Sequence, residues 1–446
     1  MRDKLLWAGC LAYCAVCTTL GALKYLAHRN LVDFGIFAQT VSSAFGCFCN
    51  PIEGSHWAFH FSPILYPVGV AVALAHSPLT LIALQAIAGA LAAPPVYAIV
   101  RARSTRGTAR LAAIVVLLYP PLAGLVFGDF HENGFAPAAV AWTLYAFDAG
   151  MLGWALFGAV VTLAVKEDQA VFLAVAGALG AWAYRGTPRG RLAGGVAVLA
   201  VAVAVAFFAV IQPNAAAGTG GSWQPERFYA WSSADVPGAA TGLAARAGFV
   251  LLAFAPLLFL PFRSRAMWIA AAPLAEVLFS RMPTAFTMGT HYAGAWIGYV
   301  FFAFACAVRA LPPHRARVLL GACIALCVVE FLVADPLHPG LNLRVREARD
   351  GRLDDVIWTL PPGVSVATQE EAYTHLALAN PYARLLPEDP GVLTSACFVL
   401  LDWEFPESAR LQEYGRTARA LVRLGLYVPV RSDGGVELYR RIGPCR

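Results

Sequence analysis

Apolar residues recur in long stretches through the first three quarters of the chain, at residues 5–23, 79–100, 111–127, 192–211, 248–262 and 318–333. Shorter stretches occupy 135–147, 151–165 and 170–184. Several match the roughly 17–25 residues that a helix needs to cross a bilayer. Within lipid the backbone must satisfy its own hydrogen bonds, so such runs are read as helices. The pattern predicts a polytopic α-helical membrane protein with about eleven spans. Residues 61–75 are apolar but short and carry Pro63 and Pro67. They are expected to form a re-entrant or interfacial helix, because a further crossing would break the alternation of loops.

The pattern changes abruptly at residue 335. Charge becomes dense and apolar runs shrink to strand length. Residues 365–367 and 396–401 read as buried strands, and 370–379 and 407–424 as helices. Residues 426–430 and 436–439 flank Ser432-Asp433-Gly434-Gly435, a hairpin signal. The expected organisation is a transmembrane domain over 1–334 and a small soluble α/β domain over 335–446. Three outer loops are expected at 24–60, 212–247 and 283–291. Within the first, residues 31–45 have helical spacing with Phe34, Phe37, Val41 and Phe45 on one stripe. That stripe suits a helix lying on the membrane surface.

Composition agrees: 59% of the 446 residues are hydrophobic and only 13% charged, where a globular chain carries about a quarter. Arginines cluster after alternate spans, at Arg101, Arg103, Arg106 and Arg110, at Arg185, Arg189 and Arg191, at Arg263 and Arg265, and at Arg309, Arg315 and Arg317. The positive-inside rule puts these in the cytoplasm, with the amino terminus cytoplasmic and the C-terminal domain extracytoplasmic. Acids avoid these loops, Asp3 and Asp148 excepted. No small-residue cleavage site is evident before Lys24, so the first span reads as an anchor. The net charge of +6 is explained by topology and calls for no nucleic-acid partner. Of ten cysteines, Cys397 and Cys445 are candidates for a disulfide in an oxidising compartment. Cys47 and Cys49 are less suited, because the Cys-x-Cys geometry is strained.

Three polar islands interrupt the greasy sequence: Asp33, Asp129-Phe130-His131-Glu132, and Lys166-Glu167-Asp168. An ionisable group near membrane depth is expensive and is by default a functional-site hypothesis. The charge count places all three on the outer side. Asp33 could take a proton from a hydroxyl as general base; its bland reading is an N-cap or a solvated interfacial acid. Asp129, His131 and Glu132 could orient substrate or hold a divalent cation, the candidate cofactor. Capping of the next helix is their alternative. Lys166 could pair with a phosphate or merely neutralise Glu167 or Asp168. His60 and His291 each border an apolar segment, where a lone His is more often structural. The loop around Trp223, Phe228, Tyr229 and Trp231 could grip a sugar or lipid, but aromatics also gather at interfaces for solvation.

The stretches Val32-Asp33-Phe34-Gly35-Ile36-Phe37-Ala38-Gln39, His60-Phe61-Ser62-Pro63, Phe130-His131-Glu132-Asn133, Lys166-Glu167-Asp168 and His291-Tyr292 occur in this order. So do Ala367-Thr368-Gln369 and Phe398–Asp402 in the tail. Together they resemble the prokaryotic membrane-protein family known as domain of unknown function 2079. One departure is Asn133 after His131-Glu132, where the family more often has a proline between the His and the Glu. The layout also resembles class C glycosyltransferases, which use polyprenyl-phosphate sugars and carry an essential carboxylate in the first outer loop. That resemblance implies a catalytic role for Asp33 at the first carboxylate and for Asp129 or Glu132 at the second, and His131, Lys166, Glu167, Asp168, His60, His291 and Gln39 are the candidate substrate contacts.

The expected function is glycosyl transfer from a polyprenyl-phosphate donor to an envelope acceptor at the outer face, by inverting displacement. A lipid-linked sugar or other lipid and the membrane are then the partners, and the cell membrane the location. A transporter or flippase, and a non-catalytic envelope scaffold, are the alternatives. Charge that stops near the outer face, and the lack of an evident internal repeat, rank the transporter second. No G-x-S-x-G elbow, P-loop, H-E-x-x-H or dinucleotide fingerprint occurs in a usable context.

Overall fold

The computed structural model describes residues 3–445 apart from 218–221, 223–225, 230–235, 388–393 and 405–410. The chain forms two compact units. The first comprises residues 1–18, 57–65 and 83–337, and the second residues 19–56, 66–82 and 338–446. The second unit thus draws on residues 19–56 and 66–82 as well as on the C-terminal part of the chain.

The first unit is helical. Among the described residues four helices are long and apolar enough to cross a membrane: Lys4–Leu26, Leu79–Arg101, Pro188–Ala216 and Pro313–Val333. A fifth crossing results if the pair Arg106–Leu117 and Pro120–Phe127, bent by 47°, is one span. Pro120 and Pro121 cause the bend, since proline removes a backbone donor and clashes with the preceding turn. The remaining apolar runs make shorter helices. Residues 248–262, expected as one span, instead contain the end of Val236–Phe254 and two 3-10 turns, Ala255–Leu257 and Leu260–Arg263. Pro256 and Pro261 interrupt the helix there, and Leu258 and Phe259 adopt left-handed backbone angles. Leu65–Ala75, 11 residues long, is too short to cross.

Helix Ala293–Arg309 is buried on almost every side, with Trp296, Tyr299, Phe301 and Phe304 fully enclosed. A helix that is apolar all round belongs at the centre of a bundle. Tyr119 packs edge-on against both Trp296 and Phe301 and donates a hydrogen bond to the Ala253 carbonyl at 2.5 Å.

The two acids that broke the charge pattern are both paired with arginine. Asp3 caps the first helix through the N–H groups of Leu5 and Leu6, accepts from Tyr97 and meets Arg110 at 3.0 Å. The Arg110 guanidinium holds its carboxyl down at about 2. Asp148 accepts two bonds from Arg309. An acid among basic loops is tolerated when one of the bases neutralises it.

The second unit is built on a five-stranded sheet. Its strands are β3 (Val366–Thr368), β4 (Ala383–Leu385), β5 (Phe398–Asp402), β6 (Tyr427–Asp433) and β7 (Val436–Arg441), in the order β4-β3-β5-β7-β6. The pairs β3–β4 and β3–β5 are parallel, whereas β5–β7 and the hairpin β6–β7 are antiparallel. β1 (Cys49–Asn50) and β2 (Gly54–Ser55) form a separate small ladder. Both expected strands, the hairpin and helix Glu370–Leu376 appear. Helix Leu411–Arg423 matches the described part of the expected 407–424 helix. Strand β4 and helix Ala348–Thr359, the latter started by a Glu347–Asp350 capping box, were not expected. Cys397–Cys445 is bonded, and so is Cys47–Cys49, against expectation.

The stripe Phe34, Phe37, Val41, Phe45 does not lie on a membrane surface as a whole. Phe34, Phe37 and Val41, on helix Val32–Ser42, are buried inside the second unit, and only Phe45 is exposed. Gly35 leaves room for the Tyr373 ring, which a Cβ would strike. The amphipathic pattern was real, but its buried partner is protein.

Candidate active site

Helix Leu79–Ala90 carries one amide in an apolar run, Gln85, and that residue shapes the loop that holds most of the site. Its Nε2 donates to the carbonyls of Leu125, Val126 and Asp129, and its Oε1 accepts the His131 N–H at 2.9 Å. The helix Pro120–Phe127 ends there, so these are carbonyls that lose their helical partners. Gln85 replaces them and sets the direction of Asp129–Glu132. His131 then caps the 3-10 turn Glu132–Phe135 by accepting the Asn133 N–H on Nδ1. Gly294 lets the central helix approach closely, since a Cβ there would collide with the Asn133 carbonyl. The capping role and the polar role of His131 coexist.

The second island forms the tight connection between helices Leu152–Leu163 and Asp168–Ala183. Glu167 is clamped: His60 Nδ1 lies 2.9 Å from Oε1, and the Phe61 N–H donates to Oε2 at 2.9 Å. Lys166 Nζ stands 3.7 Å from Glu132 Oε1, and His131 Nδ1 stands 3.0 Å from Glu132 Oε2. The His131 ring stacks on His291 at 3.9 Å. His60, His131, Glu132, Lys166, Glu167, Asp168 and His291 therefore form one cluster within the first unit.

Its electrostatics are those of a crowded, dry site. Burial opposes charge on Lys166, yet Glu132, Asp168 and Glu167 outweigh it and raise the ammonium pKa. Burial pushes the Glu167 carboxyl up, but His60, Lys166 and the Phe61 N–H pull it down to about 2. For His60, burial and Lys166 disfavour protonation, and Glu167 overcomes them to give a net rise. Burial, helped by Lys166 and His60, depresses His291 to about 3 and keeps its ring neutral.

Carboxylates exceed cations. Lys166 faces Glu132, Glu167 and Asp168, and Glu276 also lies within electrostatic reach of Asp168, Lys166 and Glu167. Several buried oxygens here have no hydrogen-bond partner: both of Glu132, Oδ1 of Asn133 and Oδ1 of Asp168. Beside them Gln169 accepts from Tyr299 through Oε1 at 3.1 Å, while its Nε2 is unpartnered. Native proteins bury few such atoms. Hard oxygen donors of this kind suit a divalent cation.

Lys166 thus neutralises Glu132, a partner that neither sequence reading named. Asp129 sits half-buried beside the cluster, its carbonyl held by Gln85. Asp33 and Gln39 belong to the second unit. Asp33 is half-buried in the first turn of Val32–Ser42, where Leu31 rather than Asp33 is the cap. The Gln39 amide is committed to structure: it donates to the Asn380 and Ala383 carbonyls at 3.1 and 2.8 Å and accepts from the Tyr373 hydroxyl. Trp223 and Trp231 lie outside the described residues, whereas Tyr229 interacts electrostatically with Glu276 and Asp168. Sequence reasoning missed Gln85, Glu276 and Tyr299. A lone amide in an apolar helix was the available signal for the first of these.

A cavity of about 950 Å³ lies elsewhere in the first unit, lined by Asp148, Gly177, Trp182, Arg185, Trp268 and Arg309 among others. It includes no member of the polar cluster. Chemistry, not cavity size, locates the candidate site.

The model of a family described as "Predicted membrane protein (DUF2079)" matches residues 28–401. No curated protein matches the sequence. Among solved structures, ArnT from Cupriavidus metallidurans bound to undecaprenyl phosphate aligns with a TM-score of 0.61 at 13% identity, covering 99% of this chain and 100% of that one. The same enzyme in the apo state aligns at 0.59 and 13% identity, covering 97% and 98%. At such identity the likeness concerns the fold alone: the chain has the fold of ArnT.

Proposed function

The chain belongs to the DUF2079 family of membrane proteins, and from that premise we propose that it is a glycosyltransferase of the class C type, working at the outer membrane face on a polyprenyl-phosphate-linked sugar. The observation that carries this reading is the buried cluster around Lys166 and Glu132, with its unpartnered oxygens, in a chain with the fold of an enzyme solved with undecaprenyl phosphate. In this reading about eleven spans cross the bilayer, with the amino terminus in the cytoplasm and the C-terminal domain outside.

Asp33 takes a proton from the acceptor hydroxyl, whose oxygen attacks the anomeric carbon. The bond from that carbon to the phosphate oxygen breaks, polyprenyl phosphate departs, and a single displacement inverts the configuration. The role of Asp33 rests on its place in the family motif. Lys166 and His131 face the phosphate, and Asp129 and Glu132 orient the substrate. A divalent cation would be held by the carboxylates Glu132 and Asp129 and would supply the positive charge that the acid-rich cluster lacks. Glu167, tied to His60, positions Lys166 beside Glu132.

The test replaces Asp33 with Asn and follows transfer of labelled sugar into envelope glycan at matched membrane levels of protein. Loss of a general base lowers the rate by about 10²–10⁴-fold. Undiminished transfer removes the catalytic assignment of Asp33.

A further inference from the structure

The cavity of about 950 Å³ that excludes the polar cluster has a charge pattern of its own. Its lining holds four arginines, Arg103, Arg185, Arg265 and Arg309, and one acid, Asp148. Arg309 Nη2 donates to Asp148 Oδ1 at 3.1 Å, and Nη1 donates to Oδ2. That half-buried pair carries no net charge. Among the described residues none of the other three guanidiniums has an acidic partner. Like charges gathered around one cavity call for an anion, and the guanidinium fork matches a phosphate.

Local structure fixes where these charges stand. Arg185 lies in the short link between Asp168–Ala183 and Pro188–Ala206. Gly186 turns the chain there with φ 80°, and Thr187 caps the second helix by accepting the Gly190 N–H at 3.1 Å. Arg265 opens the 3-10 turn Arg265–Ala270, which Ser264 caps by accepting the Ala266 N–H at 3.2 Å. Arg309 ends the central helix, and Arg103 follows helix Ala93–Arg101.

The rest of the lining is mainly apolar, with Ala159, Leu173, Ala176 and Val196 among its members. From Leu173 to Ala183 the helix runs about 15 Å, half of a hydrocarbon core about 30 Å thick. Two lining tryptophans are largely exposed, Trp182 three positions before Arg185 and Trp268 three after Arg265. Tryptophan beside arginine marks headgroup level in a bilayer. The cavity is therefore charged at one end, flanked there by aromatics, and apolar for the depth of one leaflet.

We propose that this cavity binds an anionic phospholipid, its phosphate at Arg103, Arg185 and Arg265 and one acyl chain along Leu173 to Ala183. Basic pockets between membrane helices recognise such headgroups. In the orientation proposed above the lipid belongs to the cytoplasmic leaflet, across the membrane from the sugar-transfer site. Its binding does not depend on the transferase reading.

The test delipidates the full chain in detergent and titrates it with phosphatidylglycerol, with bound lipid read by native mass spectrometry. One equivalent held more tightly than phosphatidylcholine is expected, a comparison that needs no variant. Each of Arg103→Gln, Arg185→Gln and Arg265→Gln should weaken that equivalent about fivefold, and the triple variant on the order of 100-fold. Ala176→Phe keeps every arginine but fills apolar space, and should also weaken it. Inorganic phosphate, which has no chain to bury, should leave the lipid in place. Equal retention of phosphatidylcholine, preference for a polyprenyl phosphate, displacement by inorganic phosphate, or unchanged affinity in the triple variant would each overturn the proposal.

Discussion

The Nδ1 atom of His60 lies 2.9 Å from Oε1 of Glu167, joining two loops 107 residues apart. The other oxygen of the same carboxylate is fixed by the Phe61 N–H. Lys166 is the preceding residue in the chain, so this clamp also sets where its ammonium stands. Glu167→Gln keeps the shape but removes the charge that His60 balances. The expected result is a glycan-transfer rate reduced by about 10–100-fold with the protein still folded. His60→Asn should produce a similar loss, and the double variant little more than either alone, because both act on one contact. Fully additive losses would show that the two residues work separately.

Lys166 and Glu132 form a buried pair at 3.7 Å. Replacing Lys166 with Met leaves the Glu132 carboxylate among acids, and breaking a buried pair in this way costs about 3–5 kcal/mol. Adding Glu132→Gln should recover much of that stability, since the uncompensated charge is gone, without recovering transfer. Thermal unfolding in detergent measures the first effect and labelled sugar transfer the second.

Gln85 serves three carbonyls and one N–H of the loop before the cluster. Gln85→Leu should destabilise the chain by about 1–3 kcal/mol for each group left without a partner. It should also lower transfer although Gln85 itself reaches no substrate. A variant that keeps wild-type stability would mean that the loop holds its shape by other contacts.

Two groups of the cluster lose their contribution in acid, each in its own range. His291 is depressed from 6.5 to about 3, so its contribution is full above 6.5 and is lost as pH falls from there toward 3. Glu167 is lowered from 4.5 to about 2, so its contribution is lost as pH falls below 4.5. His60, raised above 6.5, acts oppositely, and its contribution fades as pH rises through its folded value. Between pH 6.5 and 4.5 His291 by itself contributes at most about 1.4 kcal/mol per pH unit to the slope. His291→Asn should change the slope of the unfolding midpoint against pH in that window toward greater relative stability in acid, and an unchanged slope would refute the assignment.

Much of this molecule is written locally. Runs of apolar residues announce membrane helices because lipid offers the backbone no partner. Alternation and the Asp-Gly-Gly turn announce the hairpin β6–β7, and an isolated Lys166-Glu167-Asp168 among apolar residues announces a polar site. Helix breaks at Pro256 and Pro261 were also visible, although hydropathy alone merged them into one span.

Partners, by contrast, are chosen over distances that no local pattern encodes. Sequence placed Glu167 and Glu132 near a base, but only folding assigned Glu167 to His60 and Glu132 to Lys166. Phe34 and Phe37 were recognisable as one face of a helix, yet an apolar face does not reveal whether lipid or protein will cover it. Tertiary packing answered that by placing both in the core of the second unit. Gln85 shows in the linear chain only as a lone amide among apolar residues. It acquires meaning because burial withdraws water and leaves each polar atom to find its partner within the fold.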